Sequence, residues 1–394
     1  MNAAPAPKPR KYRGRAPLGL SRPLTLAALA LIALFACRKH PPAGDGSPHR
    51  PAPAQAPSIP AAAVASGHEL TVPALPRLLS QTGLYLPGRP LKVDPKNVRY
   101  EPRYALWTDG ARKTRYIRLP EGTTVDARDP NHLRFPIGTR FWKEFAFGSF
   151  TETRYIERLA DGSFRFATYL SNTTGTDAEL VPREGKRDAG EIANGVFHDL
   201  PSEDECRACH DGRPTPVLGF TALQLATDAD ELERRSEPEG APDLGEFVGR
   251  GLISNLPAAL VSEPPRIAAP SARAREALGY LYANCSHCHN AEGPLAPLGL
   301  DFDLPLAKGE ARPRLVESAL GKPSRFQHPN GATLRIAAGR PEESIVLLRM
   351  RTRDGITQMP PLGTKLTDRA AVDLVSRFIA RDLPTLPQNP GGSS

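Results

Sequence analysis

The sequence predicts an α+β protein in which an N-terminal antiparallel β-rich domain precedes α-helical segments. Three observations lead there. Apolar and polar residues alternate with a period of two between 134 and 170, apolar residues recur at helical spacing from 271 onward, and gaps bearing Gly or Pro separate the runs. At 394 residues, 40% hydrophobic and 24% charged, the chain has the composition of globular protein and the length for two or three domains.

The N-terminus reads as export machinery. Residues 1–36 carry Lys8, Arg10, Lys11, Arg13, Arg15 and Arg22 with no acid, then the apolar run Leu24 to Phe35, then Ala36 and Cys37. A basic region, an apolar region and a small residue, in that order, form a secretory signal peptide. The apolar run is well short of the roughly 20 residues that span a bilayer as a helix, so a transmembrane anchor is the poorer reading. Leu34-Phe35-Ala36-Cys37 resembles the lipobox of bacterial lipoproteins, which implies lipidation at Cys37 and a membrane held through that lipid. Removing the six signal cations takes the formal charge from +8 to +2. The basic balance thus belongs to the signal, and no nucleic-acid partner is expected. Residues 37–77 are rich in Pro and Ala, too poor in apolar surface to fold, and read as an extended tether; 386–394 read as a disordered tail.

Residues 78–200 form the expected β-rich domain. Thr114 to Leu119 is a candidate strand entered through the turn Trp107-Thr108-Asp109-Gly110. Phe135, Ile137, Thr139, Phe141, Lys143, Phe145 and Phe147 share one face of a long alternating run. Gly148-Ser149 and Asp161-Gly162 then punctuate two further runs, Thr151 to Leu159 and Phe164 to Leu170, giving a three-stranded meander. Trp107 and Trp142 are expected in the core, and Arg112, Arg115, Arg118, Arg154 and Arg158 on a solvated face, with contact to an acidic partner or to propionate groups as the weaker reading.

Helical signals follow. Ser202 with Glu205 is a capping-box arrangement that starts a short helix through His210, within a segment assigned to 201–265. Leu244 to Gly249 is a second short helix, and the acidic stretch Asp228 to Pro242 a surface loop. In 266–385, Ala274, Leu278, Leu281 and Cys285 line one helical face, Pro341 with Glu342 and Glu343 opens a helix through Met350, and Ala371, Val372, Val375 and Ile379 form the stripe of a last helix from Asp368.

Chemistry concentrates in two C-x-x-C-H motifs, Cys206-Arg207-Ala208-Cys209-His210 and Cys285-Ser286-His287-Cys288-His289. In this pattern two thiols form thioethers to haem vinyl groups and the adjacent imidazole becomes the proximal iron ligand. The expectation is therefore two covalently attached haem c groups, with His210 and His289 on iron. The five cysteines are then consumed by lipid and haem, leaving none for disulfides. A zinc site from two C-x-x-C pairs is the bland alternative, but zinc ribbons place their pairs roughly 15–20 residues apart and need no His after each. Three helices around the second haem make 266–385 a small cytochrome c-like domain.

A sixth ligand for the second haem is expected at Met359, in Gln358-Met359-Pro360-Pro361-Leu362-Gly363 before the last helix; Met350 is expected to pack in the core. For the first haem the nearest imidazole is His198, followed by His132, His68 and His328, with lysine ligation or an open iron as the remaining options. His287, between two cysteines, is taken as a variable position.

The chain resembles a family of exported bacterial di-haem cytochrome-like proteins of uncharacterised function. The matching pieces are Leu79 to Leu84, Leu106 to Lys113, Phe135 to Thr139, His198-Asp199-Leu200-Pro201, Leu278 to His289 and Met359 to Gly363, which sample residues 78 to 383. The C-terminal third is similar to small class I cytochrome c modules, which implies haem binding and electron transfer. The function expected is an electron carrier of the bacterial cell envelope, a periplasmic or outer-membrane lipoprotein working with redox partner proteins rather than as a catalyst. The alternatives are a peroxidase-like enzyme with an open first haem, and a β-rich module that binds a partner or substrate beside accessory haems.

Overall fold

The computed structural model describes residues 73–89, 91–148, 150–226, 240–307 and 310–385. The expected signal peptide, Cys37, His68, most of the expected tether, the acidic stretch through 239 and the C-terminal tail lie outside the described residues. All described residues fall in one compact unit, 68–394.

In chain order the β-rich part comprises β1 (Val98–Arg99), β2 (Arg112–Arg118), β3 (Val125–Asp126), β4 (Arg140–Ala146), β5 (Thr151–Arg158), β6 (Phe164–Ser171), β7 (Ala178–Leu180), β8 (Lys186–Ala193) and β9 (Val196–Leu200). Six of these form one antiparallel sheet in the order β1-β2-β4-β5-β6-β7, while β8 and β9 make a separate hairpin. The expected meander is thus β4-β5-β6, extended at both edges. The long alternating run is shorter than expected. Gly138 adopts φ 87° in a turn closed by the Thr139 N–H on the Pro136 carbonyl, so Phe135 to Thr139 precede the strand and Ile137 is exposed.

Both faces of the sheet are covered. One packs Ile117 and Phe141 against Phe135, Phe220 and Phe247. The other packs Trp142, Tyr155 and Tyr169 against Leu79, Leu84 and Tyr85, and the Trp142 indole N–H donates to Thr82 Oγ1 at 2.9 Å. Each such side chain contributes roughly 1.5–3 kcal/mol by leaving water.

The rest of the chain runs α1 (Glu203–His210), α2 (Ala222–Leu225), α3 (Leu244–Gly249), β10 (Ile253–Ser254), α4 (Ala258–Ser262), β11 (Arg266–Ile267), α5 (Ala272–Cys285), β12 (Leu306–Ala307), β13 (Glu310–Ala311), α6 (Leu315–Ser318), α7 (Ile345–Arg351) and α8 (Arg369–Arg377). β10 pairs in parallel with β3, and β11 and β12 flank β13. Pro341–Glu343 is a 3-10 turn rather than the start of α7, because Ser344 is extended (φ −94°, ψ 110°) and separates the two. α5, α7 and α8 share one core, in which Leu278, Leu281, Leu347, Val375 and Phe378 meet Tyr104 and Leu106 from the β-rich part. Asn284 locks this junction: its Oδ1 accepts from the Trp107 N–H at 2.6 Å and its Nδ2 donates to the Ala105 carbonyl at 2.9 Å. Among the described residues no helix is long and apolar enough to cross a membrane.

Candidate functional site

α1 delivers the first motif. Ser202 Oγ accepts from the Glu205 N–H (3.1 Å), and the Glu205 carboxylate accepts from the Ser202 N–H (2.9 Å). Glu203, Asp204 and Glu205 in the first turn complement the helix dipole. The helix ends on His210, whose Nδ1 lies 2.8 Å from the Pro216 carbonyl. A carbonyl only accepts, so Nδ1 carries the proton and the Nε2 lone pair is left for a metal.

α5 delivers the second motif. Its N-cap Ser271 accepts from the Ala274 N–H, and one wall of the helix is buried down to Asn284. The motif then turns tightly, with the His289 N–H on the Cys285 carbonyl at 2.8 Å. His289 is buried edge-to-face on Phe302 (centroids 5.9 Å), and its Nδ1 has no hydrogen-bond partner among the described residues. Burial pushes both His210 and His289 down to about 4, so each imidazole is neutral near pH 7, the form that binds a metal.

A cavity of about 530 Å³ opens on the second motif. Cys285, Cys288 and His289 contribute to its wall, as do Met359, Met350, Leu298, Leu300, Phe302 and Pro360. The Met359 loop is tied down by the Met359 N–H on the Arg349 carbonyl (3.0 Å) and by Gln358 Nε2 on the Pro360 carbonyl (3.1 Å). Four guanidiniums, Arg325, Arg335, Arg349 and Arg353, also line it beside the Asp368 carboxylate; each donates to a backbone carbonyl, none is within ion-pair distance of a carboxylate among the described residues, and Asp109 and Asp368 act electrostatically on Arg353. Burial lowers the Arg349 and Arg353 pKa values from the ordinary range.

These donors fit a haem c. The group brings an apolar ring, two carboxylates, two vinyl carbons and an iron; the cavity offers apolar walls, four guanidiniums to one carboxylate, two thiols, a neutral imidazole and a thioether. Its volume lies in the roughly 300–1,000 Å³ range of ligand pockets. Among the described residues no group of three or more His, Cys, Asp or Glu gathers as a bare-metal site.

The two motifs touch. A Cβ added at Gly212 would lie 1.9 Å from the His287 carbonyl oxygen. Asn290 Nδ2 donates to the Gly212 carbonyl (3.0 Å) and the Ser286 carbonyl (2.8 Å), while its Oδ1 accepts from the Gly293 N–H (2.7 Å). Arg213 reaches the Ser286 carbonyl and pairs with Asp303 at 2.7 Å. The Cys209 and Cys288 thiols are neighbours; hydrogen bonding to Cys288 and to His287 lowers the pKa of Cys209, and the same contact raises that of Cys288. His287, expected to be a variable position, therefore packs between the motifs.

The first motif faces the sheet. In register, Arg115, Lys143 and Arg154 lie side by side on β2, β4 and β5, and Lys113, Phe145 and Glu152 form the adjacent row. The Lys143 ammonium acts electrostatically on His210, and Arg154 on Cys206 and Cys209. Arg115 is only 1% exposed and bound to Glu101, and Arg154 is bound to Glu152. The expected solvated arginine face is corrected in part: Arg112 is exposed, whereas Arg115 and Arg154 point into the protein because the face they share with Phe141 is the packed one.

His198 is buried and sits 4.4 Å from the Phe147 ring centroid. Its Nε2 lies 2.8 Å from Glu152 Oε2 and its Nδ1 3.9 Å from Asp109 Oδ2. Both nitrogens are thereby engaged by carboxylates. His132 lies 3.7 Å from Glu292, and His328 meets Asn330 at 2.7 Å. No family model, curated protein or solved structure matches the chain.

Proposed function

We propose that the chain is a di-haem c-type cytochrome that carries electrons in the bacterial cell envelope as a lipid-anchored protein, with 266–385 as a cytochrome c-like domain. The observation that carries this reading is the cavity holding Cys285, Cys288, His289 and Met359 among apolar walls and an excess of arginines over carboxylates. Cys206, Cys209, Cys285 and Cys288 would make the thioethers, and His210, His289 and Met359 would ligate iron. A bound haem supplies a one-electron Fe(III)/Fe(II) couple, and His/Met ligation raises its potential.

The chain's own residues do the rest. Pro216 fixes the His210 tautomer, Met359 would join His289 in holding the iron and excluding small ligands, and the Gly212–His287 contact would keep the two haem sites together in one molecule. The expected outcome is a mass increase of two haems on export with a c-type maturation system. Cys206→Ser and Cys285→Ser should each lose one haem. A chain exported without covalent haem would overturn the proposal.

A second reading, a peroxidase-like enzyme with an open first iron, draws on His198 being occupied by Glu152 and Asp109. High-spin, cyanide-binding iron in half the haem of the resting protein would favour it over a pure carrier.

A further inference from the structure

The sheet face beside the first motif holds more positive charge than it neutralises. Lys113, Lys143 and Arg154 converge on Phe145, at 5.8, 4.9 and 4.4 Å from its ring centroid, and Arg115 is the immediate cross-strand neighbour of Lys143. Two carboxylates answer these four cations: Glu101 takes Arg115, and Glu152 takes Arg154. Asp109 is occupied by His198 and by the N–H groups of Lys365 and Leu366 at 2.8 Å. Lys113 reaches only the Ala111 carbonyl, at 3.4 Å, and the Lys143 ammonium meets no carboxylate within ion-pair distance among the described residues. Cations gathered out of water without counter-charges repel one another and lose hydration, an arrangement that an anionic ligand relieves.

We propose that this face is an oxyanion receptor for the first motif, with Lys143 and Lys113 supplying the charge that Glu101 and Glu152 leave uncompensated. The ligand class is a carboxylate or small oxyanion. One source is a propionate of a haem held by Cys206 and Cys209, whose negative charge would favour the ammonium forms of Lys143 and Lys113 that burial disfavours; the other is a free anion bound beside that haem. The inference rests on haem attachment at Cys206 and Cys209 and adds what anchors or accompanies that group.

The test uses the exported full-length holoprotein, first checked by mass for two haems, in spectroelectrochemical titrations of wild type, Lys143→Gln and Lys143→Arg. A propionate receptor predicts that Lys143→Gln lowers one of the two potentials in phosphate-free buffer, because a nearby cation disfavours the ferric state, and that Lys143→Arg restores it. A free-anion receptor predicts that inorganic phosphate at constant ionic strength lowers one potential of the wild type, and that Lys143→Gln abolishes this response. Lys113→Gln, in the adjacent cross-strand row, should shift the same potential in the same direction and serves if the Lys143 variants fold poorly. Unchanged potentials with no phosphate response would overturn the proposal. So would conversion of Lys143→Gln to high-spin iron, which would make Lys143 a ligand. A wild type carrying one haem would instead overturn the di-haem reading beneath it.

Discussion

Replacing Gly212 by alanine tests the contact between the two motifs. The new methyl would sit 1.9 Å from the His287 carbonyl oxygen, where ordinary contact begins at 3.4 Å, so something must move by about 1.5 Å. Retreat is obstructed: the Gly212 carbonyl already accepts from Asn290, and it faces the open side of Gly293, where a Cβ would stand 2.6 Å away. Overpacking of this kind costs about 1–3 kcal/mol, which lowers Tm by roughly 1–5 °C in a protein of this size. In the haem-loaded protein the motifs should stand further apart, so electron equilibration after flash reduction should slow while both visible spectra persist. Gly249 is the control, since its φ is not left-handed and nothing lies within 4 Å of an added Cβ. Calorimetry and flash reduction of both variants decide the matter. If Gly212→Ala matches wild type in Tm and in equilibration rate, the motifs are not in the contact described.

Two further perturbations separate roles that sequence alone leaves together. Met359→Ala should keep both haems but lose the iron–thioether absorption and lower one potential, whereas Met350→Ala, buried in the helical core, should keep the absorption and lose about 2–5 kcal/mol of stability; the reverse pattern would assign Met350 as the ligand. His198→Gln should destabilise by about 3–5 kcal/mol, the effect of breaking a buried pair, in a pH-dependent way. Burial by itself would lower the His198 pKa, but the Asp109 and Glu152 carboxylates outweigh it and raise the value above 6.5. The stabilisation is therefore complete below pH 6.5 and fades as pH rises through the raised pKa. Burial likewise opposes ionisation of Glu152, yet Arg154 and His198 hold its pKa below 4.5, so the contribution is lost again as pH falls past that value. Urea midpoints of wild type and variant should differ most between pH 4.5 and 6.5; a difference independent of pH would mean that His198 acts by packing alone.

Local signals read well wherever one interaction decides the outcome. The Ser202–Glu205 capping box, the start of the last helix at Asp368 and the boundaries of α3 each follow from residues within a few positions of one another. The β4 run misled because periodicity does not register a single glycine turn at Gly138. The arginine face misled for a different reason. Alternation says that Arg115, Lys143 and Arg154 share a side, but whether that side meets water depends on Phe220 and Phe247, which come from far along the chain. Asn290 and Gly212 were missed altogether, since their roles exist only once residues 78 positions apart in sequence meet. The one local hint was a turn of Asn290-Ala291-Glu292-Gly293 directly after the second motif.

The two motifs share a feature that folding alone does not explain. Arg349 and Arg353 at the second, and Lys143 at the first, are held partly out of water with their pKa values depressed by burial. Stability by itself would favour neutral side chains there, because an uncompensated buried charge costs several kcal/mol. Such an arrangement persists where a ligand of opposite charge binds the folded state and offsets the cost by mass action. The same surplus occurs on two unrelated frameworks, a helix with its following loop and the face of an antiparallel sheet. What the two places have in common is a C-x-x-C-H motif beside them, where the proposed haems would bring their carboxylates.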